Sequence, residues 1–275
     1  MLRCGERGVN PAWNRYAPQL GSTRARPHPI HPIMRFGSFF EGPLTRQELA
    51  CLASFVRHGH EITLFSYAPQ ALPAGVSSAD AAVILPRDQF FAIGVGPHRG
   101  TIAQFSDRFR YHMIRRTGLV WVDTDIYCLS ADWPGVPVLI GREDDSLVNG
   151  AVLGLPRDHA FLDDAIAVAD ALRDRPIWAY TGPHLVTALV HQHELRSQVQ
   201  EPKVFYPLHW PQAAELFRPR PGIGALSWAE GTVAVHFWNE LLRINGYDKA
   251  AGPRPDSIMG ILFAEAGYAS SGTSQ

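Results

Sequence analysis

The sequence predicts an α/β fold, a single domain whose central, mainly parallel sheet is flanked by helices. Three observations predict it. Short apolar runs alternate with segments whose apolar residues recur at helical spacing. The first strand, helix and second strand fit within about 35 residues, the size of a βαβ unit with a right-handed crossover. No internal repeat breaks the alternation, and a chain of 275 residues that is 46% hydrophobic and 19% charged can bury one substantial core.

Residues 1–32 show neither helical nor strand periodicity, and their Pro, Gly, Arg and Asn content predicts a loose extension. Order begins at Ile33, where IMRFGSFF reads as a buried first strand bounded by Gly42-Pro43. Thr45 caps a helix through Gln47, Glu48, Leu49, Leu52 and Phe55, which Arg57-His58-Gly59 closes. Ile62–Tyr67 is the second strand, and a short apolar run follows at 82–85. In 101–117 Phe105, Phe109, Met113 and Ile114 fall at helical spacing, ended by Gly118. Leu119–Val122 is an apolar strand running into Asp123-Thr124-Asp125. Strands are expected at 136–140 and 151–155, helices at 158–173 and 182–197, and a last strand at 232–238. The tail from Ala269 is small and polar, so the ordered domain is expected over 33–268 and a frayed tail over 269–275.

Charge and cysteine content exclude several classes. The 25 basic and 26 acidic residues give a net charge of -1, without the basic excess of a dedicated nucleic-acid binder. Lys203 and Lys249 are the only lysines; the bias toward arginine is read as mostly genomic. Cys4, Cys51 and Cys128 have neither disulfide-framework nor zinc spacing, and Cys51 and Cys128 read as core residues. No run reaches the roughly 20 apolar residues of a membrane-spanning helix. The N-terminus lacks the apolar region of a secretory signal. The expected location is the cytoplasm, at most peripheral to the inner face of the membrane.

The chemistry concentrates at Asp123-Thr124-Asp125. Two carboxylates at i and i+2 project from the same side of an extended chain. Burying them calls for a counter-charge, and a divalent cation such as Mn²⁺ or Mg²⁺ takes oxygen ligands and shares them with phosphates. Ligands of open α/β sheets bind beyond the carboxyl ends of the strands, where this pair lies. Taken alone, the tripeptide is better explained as a polar turn in which Asp123 caps neighbouring amides, because such tripeptides are common in loops.

The flanks add specificity. In FSDRFRYHMIRRTGLVWVDTDIYCL, Asp107 and Arg110 share a helix face upstream of the carboxylates. The string resembles the SD..R……GG.Y.D.D pattern of DXD-containing glycosyltransferases, the family 32-like sugar transferases related to the catalytic domains of clostridial glucosylating toxins. FFEGPLTRQELACLASFVRHGHEITLFSY resembles the opening of the small bacterial enzymes of this family. Ser146–Val152 resembles their INNAV-type segment, and Thr181-Gly182-Pro183, Tyr206–Trp210 and Val235–Asn239 also fit, so that the resemblance spans about 35–262. Three positions depart from the pattern: Leu119 replaces a glycine, Trp121 the tyrosine and Gly150 the second asparagine.

The resemblance implies a GT-A fold and a metal-dependent, retaining transfer of a sugar from a nucleotide donor, expected to be a UDP-hexose. The acceptor is a carbohydrate, lipid-linked or small-molecule hydroxyl, and the product is α-linked. It implies that Asp125 binds Mn²⁺ or Mg²⁺, with Asp123 facing the donor and reaching the metal, and His236 completing the metal shell. Asp107, Arg110 and Asn149 hold hydroxyls of the donor sugar, and Trp238 donates its indole N–H to the departing diphosphate. Asp123, Asp125 and Arg110 are the expected catalytic set, while Phe40 and Tyr67 are candidates to stack on the base. For His236, Trp238, Phe40 and Tyr67, plain core packing is the competing reading. Glu143, Asp144 and Asp145 read as a solvated acidic loop, and no nucleophile is assigned.

Other signals carry less. His191 and His193 diverge on a helix, and His58 and His60 bracket a helix-ending glycine. The glycines at 94, 96 and 100 lack dinucleotide-binding spacing, leaving 86–101 as a mobile lid or a plain connection. The same carboxylates would also serve a metal-dependent nucleotidyltransferase or nucleotide-sugar hydrolase, and a degenerate fold would leave a carbohydrate-binding protein.

Overall fold

A computed structural model describes residues 19–20, 32–94, 98–173, 175, 179–222, 225–249 and 251–269. Most of the extension predicted for 1–32 and the tail from 270 lie outside these residues.

The central sheet has six strands in the order β4-β3-β2-β5-β8-β7. They are β2 (Arg35–Phe39), β3 (Glu61–Ser66), β4 (Ser77–Asp80), β5 (Val120–Val122), β7 (Leu139–Arg142) and β8 (Val148–Gly154). β4, β3, β2 and β5 pair in parallel, whereas β8 is antiparallel to both β5 and β7. The predicted mixed α/β architecture with a mostly parallel sheet is therefore present, with one strand reversed. A two-residue strand β1 (Gln19–Leu20) pairs with β9 (Leu226–Ser227) apart from this sheet.

The inner strands β2, β3, β5 and β8 bury both faces, as expected when helices cover a parallel sheet on two sides. On one side Phe39, Phe65, Trp121 and Leu153 pack against helices α2 (Ala103–Thr117), α3 (Ala160–Ala171) and α4 (Leu185–Gln192). On the other, Phe36, Leu64, Val122 and Val152 meet Leu52 and Phe55 of α1 (Arg46–Arg57) and Trp133. Cys51 and Cys128 are buried in these layers, as predicted. His60 is also buried, its Nε2 3.3 Å from the Ser130 carbonyl and its ring edge-on to Phe36.

Boundaries moved where packing overrode local pattern. The apolar run at 82–85 is not a strand; β4 lies just before it as Ser-Ser-Ala-Asp. β4 is an edge strand, partnered on one side only, so it needs no apolar sequence to form. The helix expected at 182–197 begins only at Leu185, because Gly182-Pro183 distorts the turn ahead of it. The strand expected at 232–238 shrinks to β10 (Ala234–His236) and leaves the main sheet to pair with β6 (Ile126–Cys128), a strand the sequence did not signal. Short helices α5 (Pro202–Phe205), α6 (Asn239–Ile244) and α7 (Ile258–Glu265) complete the covering.

Candidate active site

A cavity of about 950 Å³ opens beyond the ends of the parallel strands, where β2, β5, the start of α2 and the segment after β10 converge. Its lining includes Asp107, Arg110, Asp123, Asp125, Asn149 and His236, so one cleft brings together residues spread across nearly half the chain.

The two aspartates reach it from a tight turn, not from an extended strand. β5 ends at Val122, and the Ile126 amide donates to the Asp123 carbonyl at 3.0 Å, reversing the chain into β6. The i, i+2 geometry expected of a strand is thus replaced by turn geometry. The β10–β6 ladder then supplies the third partner. His236 is opposite Ile126 in register, and the Phe237 amide donates to the Asp125 carbonyl at 3.0 Å. His236 Nε2 lies 3.2 Å from Asp125 Oδ2, which also accepts from the Asn239 amide at 2.8 Å. Ligand atoms of Asp123, Asp125 and His236 all lie within 4.8 Å of one another.

Arg110 binds the aspartates from α2. Its Nη2 donates to Asp123 Oδ1 at 2.7 Å and its Nη1 to Asp107 Oδ1 at 2.9 Å. The Asp107–Arg110 pair is therefore buried and aimed at the motif, unlike the solvated ion pair that its spacing alone suggests. Thr181 donates its hydroxyl to the other oxygen of Asp107 at 3.0 Å. Trp121, the substituted aromatic of the pattern, donates its indole N–H to Asp123 Oδ1 at 2.6 Å. Gly150 also has a positive reason: a Cβ there would lie 2.4 Å from Arg110 Nη1, so the missing side chain makes room for the guanidinium.

The electrostatics follow from burying this many charges. Burial drives the Asp107 carboxyl up to about 6 against the pull of Arg110. Burial would also raise Asp125, but His236 and the Asn239 amide hold it below the usual carboxylate range. His236 loses by burial and gains more from Asp125, ending above its ordinary value. Carboxylate and imidazole here stabilise each other's charge, as a site shaped for positive charge would. The Nδ1 atom of His236 is buried with no hydrogen-bond partner among the described residues. A set of two carboxylates and an imidazole with one orphaned nitrogen fits a Mn²⁺ or Mg²⁺ ion.

The remaining candidates divide. Asn149 lines the cavity, its amide donating to Glu143 Oε2 at 2.8 Å and its carbonyl accepting from the Ala151 amide at 2.7 Å. Phe40 lines it as well. Tyr67 does not: its hydroxyl donates to the Leu85 carbonyl at 2.8 Å and its ring packs on Phe39 and Phe90. Trp238 lines the cavity with its ring 4.1 Å from that of His236, but its indole N–H donates to the Leu208 carbonyl at 2.8 Å. It also lies past the end of β10 with a left-handed backbone (φ 56), so strand alternation does not set the direction of its side chain. Gly100 and Thr101, at the end of the segment 86–101, border the cavity, while 95–97 lie outside the described residues.

Sequence reasoning missed Glu143. It was read as solvated, yet it is 6% exposed and borders the cavity, and burial raises its carboxyl against the hydrogen bond from Asn149. Glu143, Asp144 and His209 form a second group whose ligand atoms lie within 4.8 Å of one another. It missed Glu48 and Lys249 too, a pair at 2.6 Å in which the glutamate is buried and the half-buried lysine lines the cavity. Only the position of Glu48 in the helix cap signalled part of that arrangement.

Sequence comparison matches residues 155–251 to the "Alpha 1,4-glycosyltransferase conserved region" family. That span holds Tyr206–Trp210 and His236–Trp238 but not Asp107 to Asp125. Lactosylceramide 4-alpha-galactosyltransferase of Rattus norvegicus is 27% identical over 146 residues, 49% of this chain and 40% of that protein. The Homo sapiens protein of the same name is 26% identical over 173 residues, 58% of this chain and 46% of that one. The chain thus spans less than half the length of these relatives. Among solved structures, PaToxG Glycosyltransferase aligns with a TM-score of 0.45 and 11% identity over 68% of this chain and 76% of that one. The sequence relatives are glycosyltransferases, the class that the motif resemblance implies.

Proposed function

We propose that this relative of glycosyltransferases moves a sugar from a nucleotide-sugar donor to an acceptor hydroxyl, with a divalent cation and with retention of anomeric configuration. A UDP-hexose is the donor proposed, with Mn²⁺ or Mg²⁺ as the ion. One observation carries the reading: Asp123, Asp125, Arg110 and His236 converge in a single cavity, each with its charge met by another.

Asp125, Asp123 and His236 would hold the ion, which would neutralise charge developing on the diphosphate leaving group. Arg110, fixed between Asp107 and Asp123, presents a preorganised cation and needs no rearrangement during the reaction. Asp107 and Asn149 supply hydrogen-bonding groups for sugar hydroxyls at the cavity wall. Phe40 and Trp238 add apolar surface, Trp238 through its ring and not its N–H. The acceptor oxygen bonds to the anomeric carbon as the bond to the diphosphate breaks, and the acceptor proton leaves with that diphosphate. The described residues include no helix long and apolar enough to cross a membrane, so the proposal places the catalytic step on a domain without a spanning helix.

A panel of nucleotide sugars with and without Mn²⁺, analysed for products, tests the reading. Free nucleoside diphosphate together with a glycosylated acceptor is expected. Nucleoside monophosphate or pyrophosphate as product would mean a hydrolase or nucleotidyltransferase instead. Asp125→Asn should abolish metal-dependent turnover while the chain stays folded; retained turnover would remove Asp125 from the metal site.

A further inference from the structure

The group formed by Glu143, Asp144 and His209 has a geometry of its own. Glu143 and Asp144 begin the turn between β7 and β8, closed by the Glu143 amide donating to the Leu147 carbonyl at 2.7 Å. His209 precedes a 3-10 helix (Trp210–Leu216) far along the chain. Its Nε2 lies 3.6 Å from Asp144 Oδ2 and 3.8 Å from Glu143 Oε1. Those separations exceed the roughly 2.7 to 3.2 Å of an N–H···O hydrogen bond. They come close to the edge of a tetrahedron, about 3.4 Å, whose corners stand about 2.1 Å from a central ion.

Each carboxylate commits one oxygen within the chain and turns the other toward the imidazole. Asp144 Oδ1 accepts from the amides of Ser146 and Leu147 at 2.7 and 2.9 Å, and Glu143 Oε2 accepts from the Asn149 side chain at 2.8 Å. Glu143 Oε1 makes no hydrogen bond among the described residues, although only 8% of the side chain is exposed. Among the described residues no lysine or arginine pairs with either carboxylate; the adjacent Arg142 pairs with Glu201 and Asp145. A buried carboxylate without a cation is costly, and a bound ion removes that cost.

We propose that Glu143, Asp144 and His209 bind Zn²⁺ at a site separate from the Asp123–Asp125–His236 centre. The ligand atoms fall into two groups and not one. An imidazole among carboxylates suits Zn²⁺ better than Mg²⁺ or Ca²⁺, which prefer oxygen alone, and Mn²⁺ binds such sets more weakly. The ion fastens the β7–β8 turn to the 3-10 helix. Leu147 and Trp210, on those two segments, both border the cavity, whereas Asp144 and His209 do not line it. The ion therefore braces the cavity wall and takes no part in binding substrate. The site is independent of the glycosyl-transfer reading, since Zn²⁺ binding is measured without a sugar donor.

Calorimetric titration of metal-stripped full-length chain with Zn²⁺ tests this. Asp125→Asn disables the first centre, and in that variant one Zn²⁺ per chain should still bind. At about 100 times its Kd it should raise the thermal midpoint by about 5 °C. Adding Asp144→Asn, which keeps an oxygen for the Ser146 and Leu147 amides, should weaken binding by about 100-fold or more, beyond the loss that a group merely supporting a ligand causes. Adding His209→Gln instead should do the same, and Co²⁺ should give the absorption of a tetrahedral ion only while Asp144 and His209 are both present. Failure of Asp125→Asn to bind Zn²⁺, binding no tighter than millimolar, or equal binding after Asp144→Asn overturns the site.

Discussion

Arg110 donates to two carboxylates and fills the space in which residue 150 would carry a side chain. Gly150→Ala places a methyl group 2.4 Å from the guanidinium, whose flexible end can swing aside. The expected result is a chain that keeps its thermal midpoint but turns over donor about 100-fold more slowly, because misplacing a catalytic group costs on that order. Unchanged kcat/KM would mean that the Arg110 position does not matter. Asp107 gives a pH signature. Its carboxyl is raised to about 6, so it is protonated below that pH and ionised above it. Only the ionised form both pairs with Arg110 and accepts from a sugar hydroxyl. Activity should therefore fall as pH drops through about 6, and Asp107→Asn should lose that acid limb along with most of its rate. The pH profile of kcat/KM decides it.

At the scale of elements, the beginnings of α1 and α6 are joined beside the site. Glu48 closes the α1 cap by accepting from the Thr45 amide at 2.9 Å, and it binds Lys249 at 2.6 Å and the Asn239 side chain at 3.2 Å. Gln47 also bonds to Asn239, whose amide holds Asp125. Glu48→Ala removes part of the capping box and leaves a half-buried lysine without its partner, so it should cost roughly 2 to 3 kcal/mol, read as a shift in urea midpoint. A loss under about 1 kcal/mol would show the pair to be dispensable. In α7 Gly260 reverses the usual propensity rule. Alanine normally stabilises a helix over glycine by about 1 kcal/mol, yet here its Cβ would lie 1.9 Å from the Arg254 carbonyl oxygen, which is backbone. Gly260→Ala should lower the thermal midpoint, by several degrees if the clash costs about 2 kcal/mol.

For the whole molecule, the cavity couples ligand binding to stability. Residues lining it come from β2, α2, the turn after β5, β8 and the segment after β10, so a bound donor ties together parts far apart in sequence. UDP with Mn²⁺ at about 100 times its Kd should stabilise the folded state by roughly 2.7 kcal/mol, and a chelator should abolish the gain. Stabilisation by UDP that is indifferent to the chelator would detach the nucleotide from the Asp125–His236 centre.

Some of this was readable along the chain and some was not. The βαβ opening, the capping box at Thr45 and the glycine that ends α2 at Gly118 (φ 72) are local, set by side-chain period, cap chemistry and backbone freedom, and they appear where the sequence put them. The pairing of Asp107 with Arg110 was legible as spacing, but its burial was not, since burial depends on Thr181, Gly182 and Trp121, which reach the pair from other parts of the chain. The burial of Glu143, the outward shift of β10 to meet β6 and the loss of the Trp238 N–H to Leu208 had no local signal. Those depend on partners tens of residues away, and a hydrogen bond or a desolvated charge is decided by the neighbour that arrives. The sequence by itself determined most of the order of strands and helices, β4 and β6 excepted, and the identities of the charged residues. Tertiary structure decided which charges met in one cavity, because only the folded chain removes the water that would otherwise keep them apart.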